Sequence, residues 1–352
     1  MDDRAGREIV VCLGYPAFQS PAHHERVREI DARYEPIALP VDANHAWITE
    51  PPEKPFDEPP PWAVGVAEPR RAVLARTEVL IALQTSKDLM GWCPALRWIQ
   101  GVGAGVEQFA AAGVRRDQVV VTNASGISAG SMSEFVIGRL LSIWKRHREA
   151  ERYQQAHRFV RTYGRTFAGS TIGIVGMGHI GTAVAQRARA LGARVLGLRR
   201  SHRAGATSEF ADRSFGTGQL LEMLGLCDAV VIAAPATPDT SHMIDATALS
   251  AMKKGAVLVN VARGSLVDET ALIDALNSEH IGAAVLDVFE TEPLPPENPL
   301  WDTPNVYISA HSSVSVDRYM DDVFDLFVDN LGRYARGEAL RNQVDMKVLG
   351  FG

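Results

Sequence analysis

An apolar run, Thr171-Ile172-Gly173-Ile174-Val175, leads directly into Gly176-Met177-Gly178-His179-Ile180-Gly181. No other stretch restricts the fold so strongly, because each glycine answers a different steric demand. The first permits a tight turn, the second lets backbone approach a pyrophosphate, and the third lets the next helix pack against a sheet. Apolar periodicity predicts that helix over about 180–191, with its free N–H groups and positive dipole end facing the phosphates. A second run, Arg194-Val195-Leu196-Gly197-Leu198, completes a βαβ unit of the expected size. Glycines with a purely packing role would not need this context. The stretch is therefore read as a dinucleotide site, with Gly176, Gly178, His179, Ile180 and Gly181 as its contacts.

The rest of the chain builds around this unit. From residue 170 the pattern is regular βα alternation, with strands predicted at 229–233, 256–261, 283–288 and 306–309. Helices are predicted at 269–277 and, in the tail, at 317–334. Continuous apolar strands alternating with helices imply parallel sheets covered on both faces. Upstream, shorter strands at 8–13, 79–83, 97–100 and 119–122 suggest a small α/β domain of their own. A proline-dense segment at 50–61 reads as a loop or insertion. Helical spacing of Met132, Phe135, Val136, Leu140, Leu141 and Trp144 predicts a long helix over 131–147, joining two domains. The chain's 352 residues leave room for both. The expected fold class is α/β: two Rossmann-like or flavodoxin-like domains, with parallel sheets and a cleft between them. Residues 1–123 and 312–352 would form a discontinuous substrate domain, and 124–311 the dinucleotide domain.

Composition excludes several function classes. A net charge of −6 argues against a general binder of nucleic acid or anionic membranes. Cys12, Cys93 and Cys227 are far apart and form neither a disulfide framework nor a metal set. The start, Met1-Asp2-Asp3-Arg4, lacks a signal-peptide apolar core, and no run reaches membrane-spanning length. A cytoplasmic protein is the expectation.

Three segments carry side chains suited to chemistry. Val259-Asn260-Val261-Ala262-Arg263-Gly264 ends a buried strand on an arginine, whose planar fork matches a carboxylate. Leu286-Asp287-Val288-Phe289-Glu290-Thr291-Glu292-Pro293 places acids past another strand end, and Ser309-Ala310-His311-Ser312-Ser313 places a histidine past the last. Singly, each is an ordinary polar residue. Three strand ends of one nucleotide-binding sheet describe a site, because ligands bind outside the carboxyl ends of such strands.

With these segments in order, the chain resembles the D-isomer-specific 2-hydroxyacid dehydrogenase family over nearly its whole length. The resemblance is strongest from Asn123 to His311 and includes Pro235-Ala236-Thr237-Pro238-Asp239-Thr240. It implies His311 as the acid/base and Glu292 as its orienting carboxylate, with Glu290 the competing acid. It also implies Arg263 as the clamp for a 2-keto acid's carboxylate and carbonyl. Such an electrostatic donor is worth ~3 kcal/mol in the transition state. Asp287 would meet the nicotinamide carboxamide. Pro235, Thr240, Val261 and Ala262 would line the cofactor. Ala104 and Gly105, in Gly101-Val102-Gly103-Ala104-Gly105-Val106-Glu107, would offer backbone donors to the substrate. The chain departs from the family at Glu107, where Asp is usual, and at Ala310, where proline is usual. Pocket walls would come from 14–20, 50–62, 84–92 and 312–320.

The second strand of the βαβ unit ends Leu198-Arg199-Arg200-Ser201-His202-Arg203, without the acid that bonds a ribose 2′-OH. Arg199, Arg200 and Arg203 instead suit a 2′-phosphate, so NADP(H) is expected over NAD(H). The expected function is reduction of a small 2-keto acid to its D-2-hydroxy acid by a homodimer. Within the family, the resemblance leans to the glyoxylate/hydroxypyruvate reductase branch. The competing readings are a non-catalytic cofactor sensor or corepressor on the same fold, and a phosphite-type dehydrogenase.

Overall fold

A computed structural model describes residues 7–39, 70–83, 85, 89–114, 119–200, 209–315 and 318–344. The chain divides into two compact units, Met1–Ile127 with Val316–Gly352, and Ser128–Ser315. The division falls at 127 and 315, where the sequence suggested 123 and 311. The proline-dense segment 50–61 lies outside the described residues, as do the N-terminal Met1–Arg4.

The first unit holds a five-stranded parallel sheet of β1 (Ile9–Leu13), β2 (Tyr34–Ala38), β3 (Thr77–Ala82), β4 (Trp98–Gly101) and β5 (Val120–Thr122), in the order β2-β1-β3-β4-β5. β1, β3 and β4 are buried throughout, as strands sandwiched between helix layers must be. β2 was not expected, because Glu35 and Pro36 interrupt its apolar pattern. It pairs only with β1, and an edge strand tolerates a residue without an N–H. The tail helix, Tyr319–Ala335, returns to this unit. Its Phe327 lies 5.4 Å from the ring of Trp98, whose indole N–H donates to Thr122.

The second unit holds seven parallel strands: β6 (Thr171–Val175), β7 (Arg194–Leu198), β8 (Arg213–Phe215), β9 (Ala229–Ile232), β10 (Ala256–Asn260), β11 (Ile281–Leu286) and β12 (Val306–Ile308). Their order is β12-β11-β10-β9-β6-β7-β8. The chain starts in the middle at β6, builds outward to β8, then crosses to build the other side from β9. The point of reversal is therefore between β6 and β9.

The predicted 131–147 helix is shorter and breaks. It runs Ala129–Trp144, and Arg146 then adopts a left-handed φ of 58° before a polar helix, His147–Gln155. The first helix is no free-standing joint. It belongs to the second unit, where Met132, Val136, Leu140 and Trp144 pack into the core on one face of the sheet. The helix Glu269–Asn277 begins where Asp268 accepts a hydrogen bond from the N–H of Ala271, a short acidic cap that satisfies an orphan donor.

Candidate active site

Strand register assembles the second unit's site. Phe215, Leu198, Val175, Ile232, Asn260, Leu286 and Ile308 are successive partners across the sheet, one row near its carboxyl edge. The described residues proposed from sequence for this unit lie in the segments that follow that row. Arg199 and Arg200 follow Leu198; the glycine loop follows Val175; Pro235 to Thr240 follow Ile232. Arg263, Glu292 and His311 follow Asn260, Leu286 and Ile308 on three neighbouring strands, spaced roughly 4.8 Å apart.

At the glycine loop the three steric demands are separately visible. Gly176 has φ 98°, and a Cβ there would lie 2.5 Å from the N of Ala234. The loops after β6 and β9 thus close on each other at the point of strand-order reversal. A Cβ on Gly181 would sit 2.0 Å from the carbonyl oxygen of Gly176, so only glycine lets the helix His179–Ala190 approach. A Cβ on Gly178 would meet nothing within 4 Å. Gly178 is the helix N-cap, and no side chain caps it. The bare first turn and the open space beside it fit a phosphate of a dinucleotide. His179 is exposed at the first helical position, and Ile180 packs partly into the core. Arg199 and Arg200 are exposed just past β7, while Arg203 lies outside the described residues. The hydroxyl of Thr240 accepts from Thr237 N–H and donates to the carbonyl of exposed Pro235, closing the loop after β9. Val261 and Ala262 are buried.

Arg263 owes its place to Asn260, which the sequence did not single out. This buried amide accepts from the N–H of Ala262 and donates to the carbonyl of Arg263, fastening the turn on both sides. The guanidinium donates one bond to the carbonyl of Ala262, 2.7 Å away. A Cβ on Gly264 would lie 1.9 Å from the carbonyl carbon of Phe289, so the arginine turn presses on the loop that carries the acids.

In that loop the two candidate glutamates separate. Glu292 Oε2 lies 2.8 Å from Nδ1 of His311, and its Oε1 accepts from the N–H of Phe289. Glu290 instead lies 3.1 Å from Nε2 of His242 and accepts from the N–H of Glu269. His311 and Glu292 are both exposed, and contact through Nδ1 leaves Nε2 of the ring turned from the carboxylate.

Asp287 is tied into the histidine loop. It is 1 % exposed, and its carboxylate accepts four hydrogen bonds: from the hydroxyls of Ser309 and Ser313 and the N–H groups of Ser312 and Ser313. Its carbonyl also accepts the N–H of His311 at 2.8 Å. It holds both sides of the turn in which His311 adopts a φ of 48°. A carboxylate can accept about four hydrogen bonds, so this one is nearly saturated by the loop. The signal available in the sequence was the cluster of three serines around the histidine.

In the first unit, the loop after β4 has its carbonyls tied. Those of Gly101, Val102, Gly103, Ala104 and Gly105 accept from Gln100, Tyr319, Ala124, Asn123 and Gln108 respectively. Among the described residues no acceptor meets the N–H groups of Gly103, Ala104 or Gly105. Unpaired amides beside tied carbonyls give a local donor surface suited to an anion. The side chain of Glu107 lies outside the described part of the structure. No group of three or more His, Cys, Asp or Glu suited to a metal occurs among the described residues, and no helix there is long and apolar enough to cross a membrane.

A profile of the "D-isomer specific 2-hydroxyacid dehydrogenase, NAD binding domain" matches residues 137–313. The chain is 31% identical over 300 residues to a glyoxylate reductase of Korarchaeum cryptofilum, covering 82% of this chain and 90% of that protein. The structure is similar to a D-isomer specific 2-hydroxyacid dehydrogenase family protein from Aeromonas salmonicida, with a TM-score of 0.78, 30% identity, and 96% and 99% of the two chains covered. It is also similar to an NADPH-dependent glyoxylate/hydroxypyruvate reductase from Sinorhizobium meliloti in complex with NADP and sulfate, with a TM-score of 0.75, 26% identity, and 97% and 99% covered. This chain belongs to the D-isomer specific 2-hydroxyacid dehydrogenase family. It is thus an enzyme of the NAD(P)-dependent 2-hydroxyacid dehydrogenase class.

Proposed function

We propose that the protein reduces a small 2-keto acid to the D-2-hydroxy acid with NADP(H), glyoxylate and hydroxypyruvate being the first substrates to test. The observation that carries this reading is the His311–Glu292 pair, 2.8 Å apart, in the segments after β12 and β11, the latter strand pairing with the β10 that Arg263 follows. When bound, the nicotinamide supplies the hydride. His311 Nε2 would deliver the proton to the carbonyl oxygen, while Glu292 holds the Nδ1–H and offsets the ring's positive charge. The Arg263 fork would bind the carboxylate and polarise the carbonyl. Within the first unit, the amides of Gly103, Ala104 and Gly105 form a donor set of the kind a carboxylate takes. In the reverse direction His311 would act as the base.

Arg199 and Arg200 support the preference for a phosphorylated ribose. They are exposed at the end of β7, and the Sinorhizobium reductase with the same fold carries NADP. Comparing kcat/KM for NADPH and NADH tests this. Charge-assisted hydrogen bonds of about 1.5–3 kcal/mol predict roughly a 10- to 100-fold advantage for NADPH. Equal values, or a preference for NADH, would sink the assignment. Arg199→Asp should move the preference toward NADH. The sensor reading predicts tight NADPH binding with no turnover on any 2-keto acid, and a phosphite-type enzyme would turn over phosphite alone.

A further inference from the structure

In the first unit the strand order β2-β1-β3-β4-β5 reverses between β1 and β3, so a ligand crevice belongs at their carboxyl ends. There the chain passes tightly. Gly14 donates to the carbonyl of Ile81, and a Cβ on Gly14 would lie 2.9 Å from that oxygen. Tyr15 is the first side chain beyond this crossing. Its ring is held 5.6 Å from the buried ring of Phe18 and stays partly exposed. Tyr15, Leu83, Tyr319 and Met320 all lie, partly buried, against the core cluster that includes Val102. Tyr319 donates from its hydroxyl to the carbonyl of Val102 at 2.7 Å, which ties the second phenol to the amide-bearing loop. Leu83 reaches the same loop, its Cδ1 3.8 Å from where a Cβ of Gly103 would stand.

We propose that Tyr15 is a specificity-determining residue, one wall of an aromatic pocket beside the amides of Gly103 to Gly105 that admits 2-keto acids with a small, uncharged C3 substituent. The proposal rests on the 2-keto acid reading above. Tyr15, Leu83, Tyr319 and Met320 are bulky and carry no formal charge. Burial raises the pKa of Tyr15, and it pushes Tyr319 to about 12, with the nearby phenol of Tyr15 adding to the shift. Both phenols are therefore neutral at physiological pH. A phosphate on C3 would have to shed water against this wall, and among its described residues no cation compensates. A bulky C3 group would meet the rings directly.

The test is kcat/KM of the NADPH-loaded enzyme for glyoxylate, hydroxypyruvate, phenylpyruvate and 3-phosphohydroxypyruvate, in wild type, Tyr15→Phe, Tyr15→Ala and Tyr15→Arg. The wild type should prefer hydroxypyruvate to its 3-phosphate by about 100-fold or more, the scale of one uncompensated buried polar group. Tyr15→Ala should raise the phenylpyruvate-to-hydroxypyruvate ratio about tenfold. Tyr15→Arg should raise the phosphorylated-to-unphosphorylated ratio by a similar factor. Tyr15→Phe, which keeps the packing, should leave the wild-type discrimination against bulk in place, and Tyr15→Arg keeps the proposal testable if Tyr15→Ala does not fold. Turnover with ratios that stay within about twofold in every variant overturns the role of Tyr15 and leaves the 2-keto acid reading standing. Absence of turnover on all four substrates by the wild type overturns both.

Discussion

Glu290 and Glu292 stand two positions apart past the same strand, and spacing alone does not rank them. Tertiary contacts do: Glu292 faces His311, and Glu290 faces His242 and Glu269. Asp287 is the sharper case. Among the described residues its carboxylate accepts only from donors of the histidine loop. Asp287→Asn would turn one oxygen into a donor facing N–H or O–H groups, so bonds are lost and a clash of donors is gained. Hydrogen bonds to a charged group are worth about 1.5–3 kcal/mol each net. We expect kcat to fall by about 10- to 100-fold, with a smaller change in NADPH affinity, because His311 would lose its fixed direction. A variant with full kcat and only weaker NADPH binding would return Asp287 to the cofactor. The His311→Asn variant should lose turnover about 100-fold or more while still binding NADPH, as measured by fluorescence titration.

At the scale of elements, the βαβ unit was legible because its constraints are local. A turn that needs φ 98° at Gly176 and a helix that needs no Cβ at Gly181 leave marks in neighbouring residues. Gly181→Ala would place a carbon 2.0 Å from the Gly176 carbonyl, so the helix must move off the loop. NADPH affinity should drop at least tenfold by titration; an unchanged Kd would remove the glycine loop from the cofactor site. The entry to β6 is fixed by Asp228, which accepts from the N–H of Thr171 at 2.8 Å. Burial pushes the Asp228 pKa up, but the Thr171 N–H, Lys253 and Arg165 outweigh it and leave the value below the ordinary one. A lowered folded-state pKa stabilises above the unfolded value, about 4, and that stability is lost as pH falls through the folded value. Asp228→Asn should cost about 1 kcal/mol at neutral pH, and the deficit should shrink below pH about 4 in thermal unfolding. A deficit that does not change with pH would show that the charge is not what matters. β2 and the break at Arg146 were not legible. One depends on edge position and the other on a single left-handed residue, and neither leaves a periodic trace.

For the whole molecule, homodimerisation is a proposal that the surface supports. Phe159 is 99 % exposed and Tyr163 76 % exposed, in a segment outside helix or strand that follows the helix His147–Gln155. Large apolar groups so exposed commonly mark an interface, and a second copy of this chain is the occupant we expect. Phe159→Asp should convert the dimer to monomer in sedimentation; a wild-type monomer would refute it. By itself the sequence determined the α/β class, the dinucleotide loop and the three strand ends that carry Arg263, the acids and His311. Those follow from period, sterics at glycine and residue chemistry, all written within a few neighbouring positions. The family resemblance already pointed to Glu292 as the partner of the histidine; only the tertiary structure decided what Glu290 meets instead, that Asp287 turns inward, and that Asn260 and Tyr319 fasten the loops. Each of these is a contact between residues distant in sequence or on adjacent turns, and its partner is chosen by strand order and register.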